Sequence, residues 1–75
     1  MLGSTDNGWK AFDMMNALSN LPNNMKPIFA DIIRSAMKDK ELSNETKDII
    51  AWACFHSTFP ITDDEVEKWN EEITA

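Results

Sequence analysis

The only cysteine and the only histidine of the chain, Cys54 and His56, lie two residues apart in its most apolar stretch, Ile49–Phe59 (IIAWACFHSTF). A thiol and an imidazole form a nucleophilic pair only when the base reaches the thiol within hydrogen-bonding distance. On a helix, at roughly 100° per residue, side chains two positions apart point about 200° from each other. A helical reading of this stretch therefore separates the pair. It makes Cys54 a buried structural cysteine and leaves His56 near a helix end, where the dipole favours positive charge. A redox protein or enzyme centred on Cys54 is the least favoured function, and no catalytic activity is expected.

Carboxylates are the other chemical resource, with thirteen Asp and Glu among 75 residues. His56 with Asp63, Asp64 or Glu65 is a conceivable set of metal ligands. The same three acids are accounted for by a helix start, so no metal and no cofactor is expected. With Gly3 and Gly8 as the only glycines, a glycine-rich phosphate loop is ruled out. One cysteine makes no internal disulfide and fits a reducing compartment. The first residues, MLGSTDNGWK, lack the basic and apolar regions of a signal peptide. No apolar run approaches the ~20 residues of a membrane span. These features together read as a cytoplasmic protein.

The formal net charge is −6. That disfavours nucleic acid, whose phosphates need clustered Lys and Arg, and it disfavours an anionic membrane surface. A basic protein partner suits it, as does plain solubility. The acidity is concentrated: residues 63–75 hold six acids and one lysine, so −5 of the −6 lies there.

The elements that would position these groups are helices. Trp9, Phe12, Met15 and Leu18, with Ala11, Met14 and Ala17 alongside, recur at spacings of three and four, which predicts a first helix with one buried face. Asp6 or Asn7 is its expected N-cap, with residues 1–7 frayed. LSNLPNN is turn chemistry. A second helix follows, with Pro27 in its first turn, Asn23 or Asn24 as cap, and a broad stripe of Ile28, Phe29, Ile32, Ile33, Ala36 and Met37. Asp31, Arg34, Ser35 and Lys38 take its outer side. Ser43 caps a third helix, residues 44–59, whose apolar residues cover nearly every direction; such a helix is central and buried. Pro60 breaks it. Thr62 and Glu65 then form a capping box, with Ile61 and Val66 spaced for a hydrophobic staple. Val66, Trp69 and Ile73 give the fourth helix a narrow apolar seam.

The segment Leu42–Ala51 resembles the opening of the central helix in the carboxymuconolactone decarboxylase family. That family uses a Cys-x-x-Cys, or an acid and a histidine, beyond this helix; here Cys54-Phe55-His56 stands instead, with Pro60 after it, so no function is carried over.

The expected architecture is all-α: a single compact four-helix domain, residues 1–75, with short loops. A chain this short buries only about 60% of the surface its unfolded form exposes, so a partner is an open route to further stability. Three tryptophans exceed what a small core readily encloses, and tryptophan is enriched at interface hot spots. Trp52 is assigned to the core; Trp9 and Trp69 are divided between core and interface. The expected function is a small acidic protein-binding module, a regulator or inhibitor that docks on a basic surface of another protein, as phage and plasmid accessory proteins do. Its site residues would be Trp9, Glu67, Trp69, Glu71 and Glu72. The alternative is a homodimeric structural module, with helix one or four at a symmetric interface.

Overall fold

Small side chains hold the helices together. Ala11, Ala30, Ala51, Ala53 and Cys54 are all buried, joined by Leu18, Ile33, Met37, Ile50, Ile61 and Val66. The structure is a computed structural model that describes residues 2–74, with side chains from residue 8 onward. Its helices are α1 (Leu2–Ser19), α2 (Lys26–Lys38), α3 (Asn44–His56) and α4 (Asp63–Thr74). Among the described residues there is no strand. The central helix is α3, which packs against α1 and α4, while Ala30, Ile33 and Met37 of α2 close the same core. The protein is a compact all-α four-helix domain.

Local chemistry explains most of the boundaries. Ser43 caps α3 by accepting a hydrogen bond from the Thr46 backbone N–H at 3.2 Å. The capping box of α4 is formed in both directions: Glu65 N–H donates to Thr62 Oγ1 at 3.2 Å, and Thr62 N–H donates to Glu65 Oε2 at 2.8 Å. Ile61 and Val66 are both buried on either side of that box, as a staple requires. Between α2 and α3, Asp39 Oδ1 accepts from Glu41 N–H at 2.9 Å, an Asx turn in the connection.

Several expectations are corrected. α1 begins at Leu2, so Asp6 and Asn7 lie within the helix and do not cap it; the fraying expected of residues 1–7 falls on residues whose side chains lie outside those described. α2 is capped by Met25, which makes no side-chain cap bond, in place of Asn23 or Asn24. A turn does this work instead, with Met25 N–H donating to Pro22 O at 2.9 Å and Phe29 N–H to Met25 O at 3.0 Å. α3 stops at His56, three residues before Phe59, with Ser57 extended at its C-cap. A residue that precedes proline is pushed out of the α region, so Pro60 sends Phe59 into the connection. The fourth correction concerns stripes. Trp9 and Phe12 of α1, and Ile28 and Ile32 of α2, are exposed. The buried positions are Ala11 and Leu18 on α1, with Met14 and Met15 partly covered, and Ala30, Ile33 and Met37 on α2. Finally, the burial of α3 is one-sided: Ile50, Ala51, Ala53 and Cys54 face in, while Trp52 and Phe55 are 41% and 50% exposed.

Two cations tie α2 to the connection between α3 and α4. Lys26 Nζ donates to the Thr58 carbonyl at 3.0 Å. Arg34 donates through Nε to Glu65 Oε1 at 2.8 Å and through Nη2 to Glu65 Oε2 at 3.2 Å, and Nη2 also reaches the Pro60 carbonyl at 3.0 Å. Arg34 is thus a partly buried clamp, not an outer-face residue. A planar guanidinium matches a carboxylate at two points, so one Glu65 side chain serves the α4 cap and the α2 clamp together.

Candidate functional site

The outward side of the α3–α4 pair carries a groove. The two helices run antiparallel: Asn44 and Lys47 at the start of α3 share a cleft with Trp69, Glu72 and Ile73 near the end of α4, while Trp52 and Phe55 face Val66 and Glu67. On α3 the positions 48, 51, 52 and 55 follow the helical period and share one face. On α4, positions 66, 67 and 70 meet them. Together Asp48, Ala51, Trp52, Phe55, Val66, Glu67 and Asn70 surround a cavity of about 280 Å³.

Each member has a distinct part. Ala51 and Val66 are almost fully buried and form an apolar floor. The aromatic walls are Trp52 and Phe55, and the carboxylates of Asp48 on one helix and Glu67 on the other flank the opening. His56 packs against both walls, with ring centroids 4.2 Å from Trp52 and 5.0 Å from Phe55, the latter edge to face at 88°. Aromatic pairs in such arrangements add stability beyond their buried area. They hold Trp52 and Phe55 in place although both are exposed to solvent.

The opposite side of α3 is chemically quiet. Cys54 is a free, buried thiol, and burial, with the charge of Glu65 adding to it, pushes its pKa up to about 12. At neutral pH it is a protonated thiol, whereas nucleophilic attack needs a thiolate. His56 points to solvent, on the other side of the helix from the sulfur. No group of three or more His, Cys, Asp or Glu side chains positioned to hold a metal ion occurs among the described residues. Glu65 is spent on its two partners. The Arg34 hydrogen bond first, and then the Thr62 backbone N–H, hold its carboxyl below the usual range.

The site residues expected from the sequence are divided by the structure. Glu67 borders the groove. Trp69 is partly buried against the core and lies with Glu72 at the smaller cleft of about 30 Å³ shared with Asn44 and Lys47, toward the other end of the α3–α4 pair. Glu71 is exposed and lines neither cavity. Trp9 is 64% exposed and stacks edge to face on Phe12 at 6.3 Å, apart from the groove. Trp52, Phe55 and Asp48 were not foreseen. The signal for them was the adjacent trio Ala51, Ala53 and Cys54. Small residues on one side of a helix mark where another helix comes close, and they turn the bulky neighbours outward.

Fold and site together define a class: an all-α domain with an aromatic groove flanked by carboxylates on the outer side of a helical hairpin. No protein-family model, no curated protein and no solved structure matches the chain. No helix is long and apolar enough to cross a membrane, among the described residues.

Proposed function

We propose that this protein is an acidic protein-binding module that docks on a basic surface of another protein and acts as a regulator or inhibitor, in the manner of phage- and plasmid-encoded accessory proteins. One observation carries the reading: two large aromatics, Trp52 and Phe55, stand half in solvent around an open cavity flanked by Asp48 and Glu67. Exposed apolar surface that is contiguous and bordered by polar groups is a mark of protein-interaction sites. The cluster of acids on α4 would steer a basic partner into contact, and desolvated aromatics would supply the affinity. Cytoplasmic residence belongs to the same proposal and rests on the free thiol of Cys54 in a reducing compartment.

The test is affinity capture from the native cell at low salt, with wild-type protein and Trp52→Ala run side by side. A specific protein held by the wild type, weakened by salt and lost with Trp52→Ala, supports the reading. Equal capture by both, or nothing specific by either, defeats it. A homodimeric module is the second reading, favoured by Ile28 and Ile32, which stand one turn apart on α2 and are 53% and 56% exposed. Light scattering over a concentration series decides it: a strict monomer at the highest concentration removes the dimer.

A further inference from the structure

The shape and charge of the α3–α4 groove specify what should fill it. We infer that it takes a cationic amphipathic helix of a partner protein, which inserts one large apolar side chain over Ala51 and Val66 and sets Lys or Arg on either side against Asp48 and Glu67. The inference rests on the protein-binding reading and names its partner's chemistry. A cavity of about 280 Å³ between two antiparallel helices has the form in which a third helix lays its apolar face. Both floor residues are apolar and the polar members of the lining, Asp48, Glu67 and Asn70, are exposed, so a side chain set over the floor is apolar as well.

Charge selects among apolar occupants. Asp48 and Glu67 stand on opposite helices with the cavity between them; the neighbouring Lys47 and Lys68 lie outside the groove lining, and α4 as a whole sets Asp63, Asp64, Glu65, Glu67, Glu71 and Glu72 against the single Lys68. A second copy of this chain fits poorly. A two-fold contact brings the same patch of both subunits together, so each Glu67 would approach its own counterpart or the other Asp48. Like charges across a contact are costly. An anionic lipid surface meets the same repulsion. A helix bearing Lys or Arg beside an apolar anchor is the occupant whose charge and shape both match.

The probe is a short synthetic helix of lysine and leucine, compared with a lysine-only peptide of equal charge and a glutamate–leucine peptide. Binding is followed by two-dimensional 1H–15N NMR of the labelled full chain. The lysine–leucine helix should move the Trp52 indole N–H and the amides of Ala51, Val66 and Glu67, and leave Trp69 and Glu72 nearly still. Neither control peptide should reproduce that pattern. Two charge-matched variants sharpen the result: Glu67→Lys should weaken the probe about tenfold, whereas Glu72→Lys, at the smaller cleft and outside the groove lining, should cost well under that.

Every other outcome overturns the groove assignment. Equal loss with both variants, or shifts spread over all of α4, means the acids act only as a diffuse field. Shifts at Trp69 and Glu72 place the contact on the smaller cleft. Groove shifts on concentrating the protein without peptide mean that a second copy occupies it. No shifts at all mean that the groove takes no such helix. These results leave the protein-binding reading standing if capture by the wild type still succeeds; a failed capture with clean groove shifts has the opposite meaning, so the two are distinguishable.

Discussion

Ala53 and Trp52 are neighbours on α3 and lead opposite lives. Ala53 has no surface in contact with water, and Cys54 has 2%; Trp52 keeps 41% of its own. Apart from Ile50, the inner side of the helix is made of the smallest apolar groups, and the outer side carries the largest. Helices approach each other closely only where side chains are small, so a core of alanines and a cysteine draws α3 tight against its neighbours. The bulky aromatics then have no interior to enter. What looks like wasted apolar surface is the counterpart of close packing inside, and it makes the outer side available for recognition.

The most disruptive way to attack this difference is to put bulk on the inner side. Ala53→Leu adds three carbons where no space exists, and overpacking of a filled core costs typically about 1–3 kcal/mol. We expect the upper end here, about 3 kcal/mol, because Ala53 is completely buried. A urea titration followed by far-ultraviolet circular dichroism measures it. A variant as stable as the wild type would mean that the inner side of α3 has slack, and the contrast with the outer side would lose its physical basis.

The next effect tests the clamp that keeps α2 on the inner side. Glu65→Gln weakens the paired bonds with Arg34 and removes the charge that faces the α4 N-terminus. The two side chains are still about a third exposed, at 36% and 33%, and solvent screens such a pair, so the expected loss is about 1–2 kcal/mol. The pH dependence has a fixed sign. Arg34 holds the Glu65 carboxyl below its usual value in the folded state. The stability this contributes is complete above the ordinary carboxylate pKa, roughly 4.3, and is lost as pH falls from there through the lower folded value. Stability curves of wild type and Glu65→Gln should therefore run apart at neutral pH and converge in acid. Parallel curves would show that Arg34 does not act through the charge of Glu65.

Helix number, order and the chemistry of two starts were legible in the sequence, because capping is local. Ser43 meets Thr46, and Thr62 meets Glu65, within three residues of each other. The facing of the stripes was not legible. Trp9, Phe12, Ile28 and Ile32 have helical spacing and apolar character, yet alanines at 11 and 30 won the interior. Ranking residues by size assigns the largest to the core, whereas helix approach distance selects the smallest. The same inversion moved Trp52 out and Trp69 partly in. Arg34 was misplaced for a different reason. Its partners, Pro60 and Glu65, are 26 and 31 residues away, beyond the reach of any periodicity argument. Of the expected site, Glu67 alone borders the groove, because the acids of α4 spread around the helix and only tertiary contact decides which of them meets an aromatic wall.

Removing bulk from the outer side should leave the fold nearly intact. Trp52→Ala deletes a side chain already well exposed, and its stability cost is expected near about 1 kcal/mol, short of the ~3–5 kcal/mol of a buried tryptophan. The loss should appear instead in binding of the cationic helix. A cost of several kcal/mol would mean that Trp52 is a core residue at its edge, and the division between the two sides of α3 would have to be redrawn.

The smallest effect adds a carbon outside the core. Gly8 lies within α1, and among the described residues a methyl group built on it meets no atom within 4 Å apart from its chain neighbours and its own helix backbone. Glycine inside a helix is less favourable than alanine by about 0.5–1 kcal/mol, because the unfolded chain has more freedom to lose. Gly8→Ala should accordingly raise stability by about 0.5 kcal/mol, the lower end because the site stands near the start of the helix. The same kind of change, added hydrocarbon, thus carries opposite signs at Ala53 and at Gly8. Thermal melts of the two variants against the wild type measure both. Should Gly8→Ala fall below the wild type, the first turns of α1 would be packed against something that a methyl group disturbs, and Trp9 beside it would belong to a contact and not to open surface.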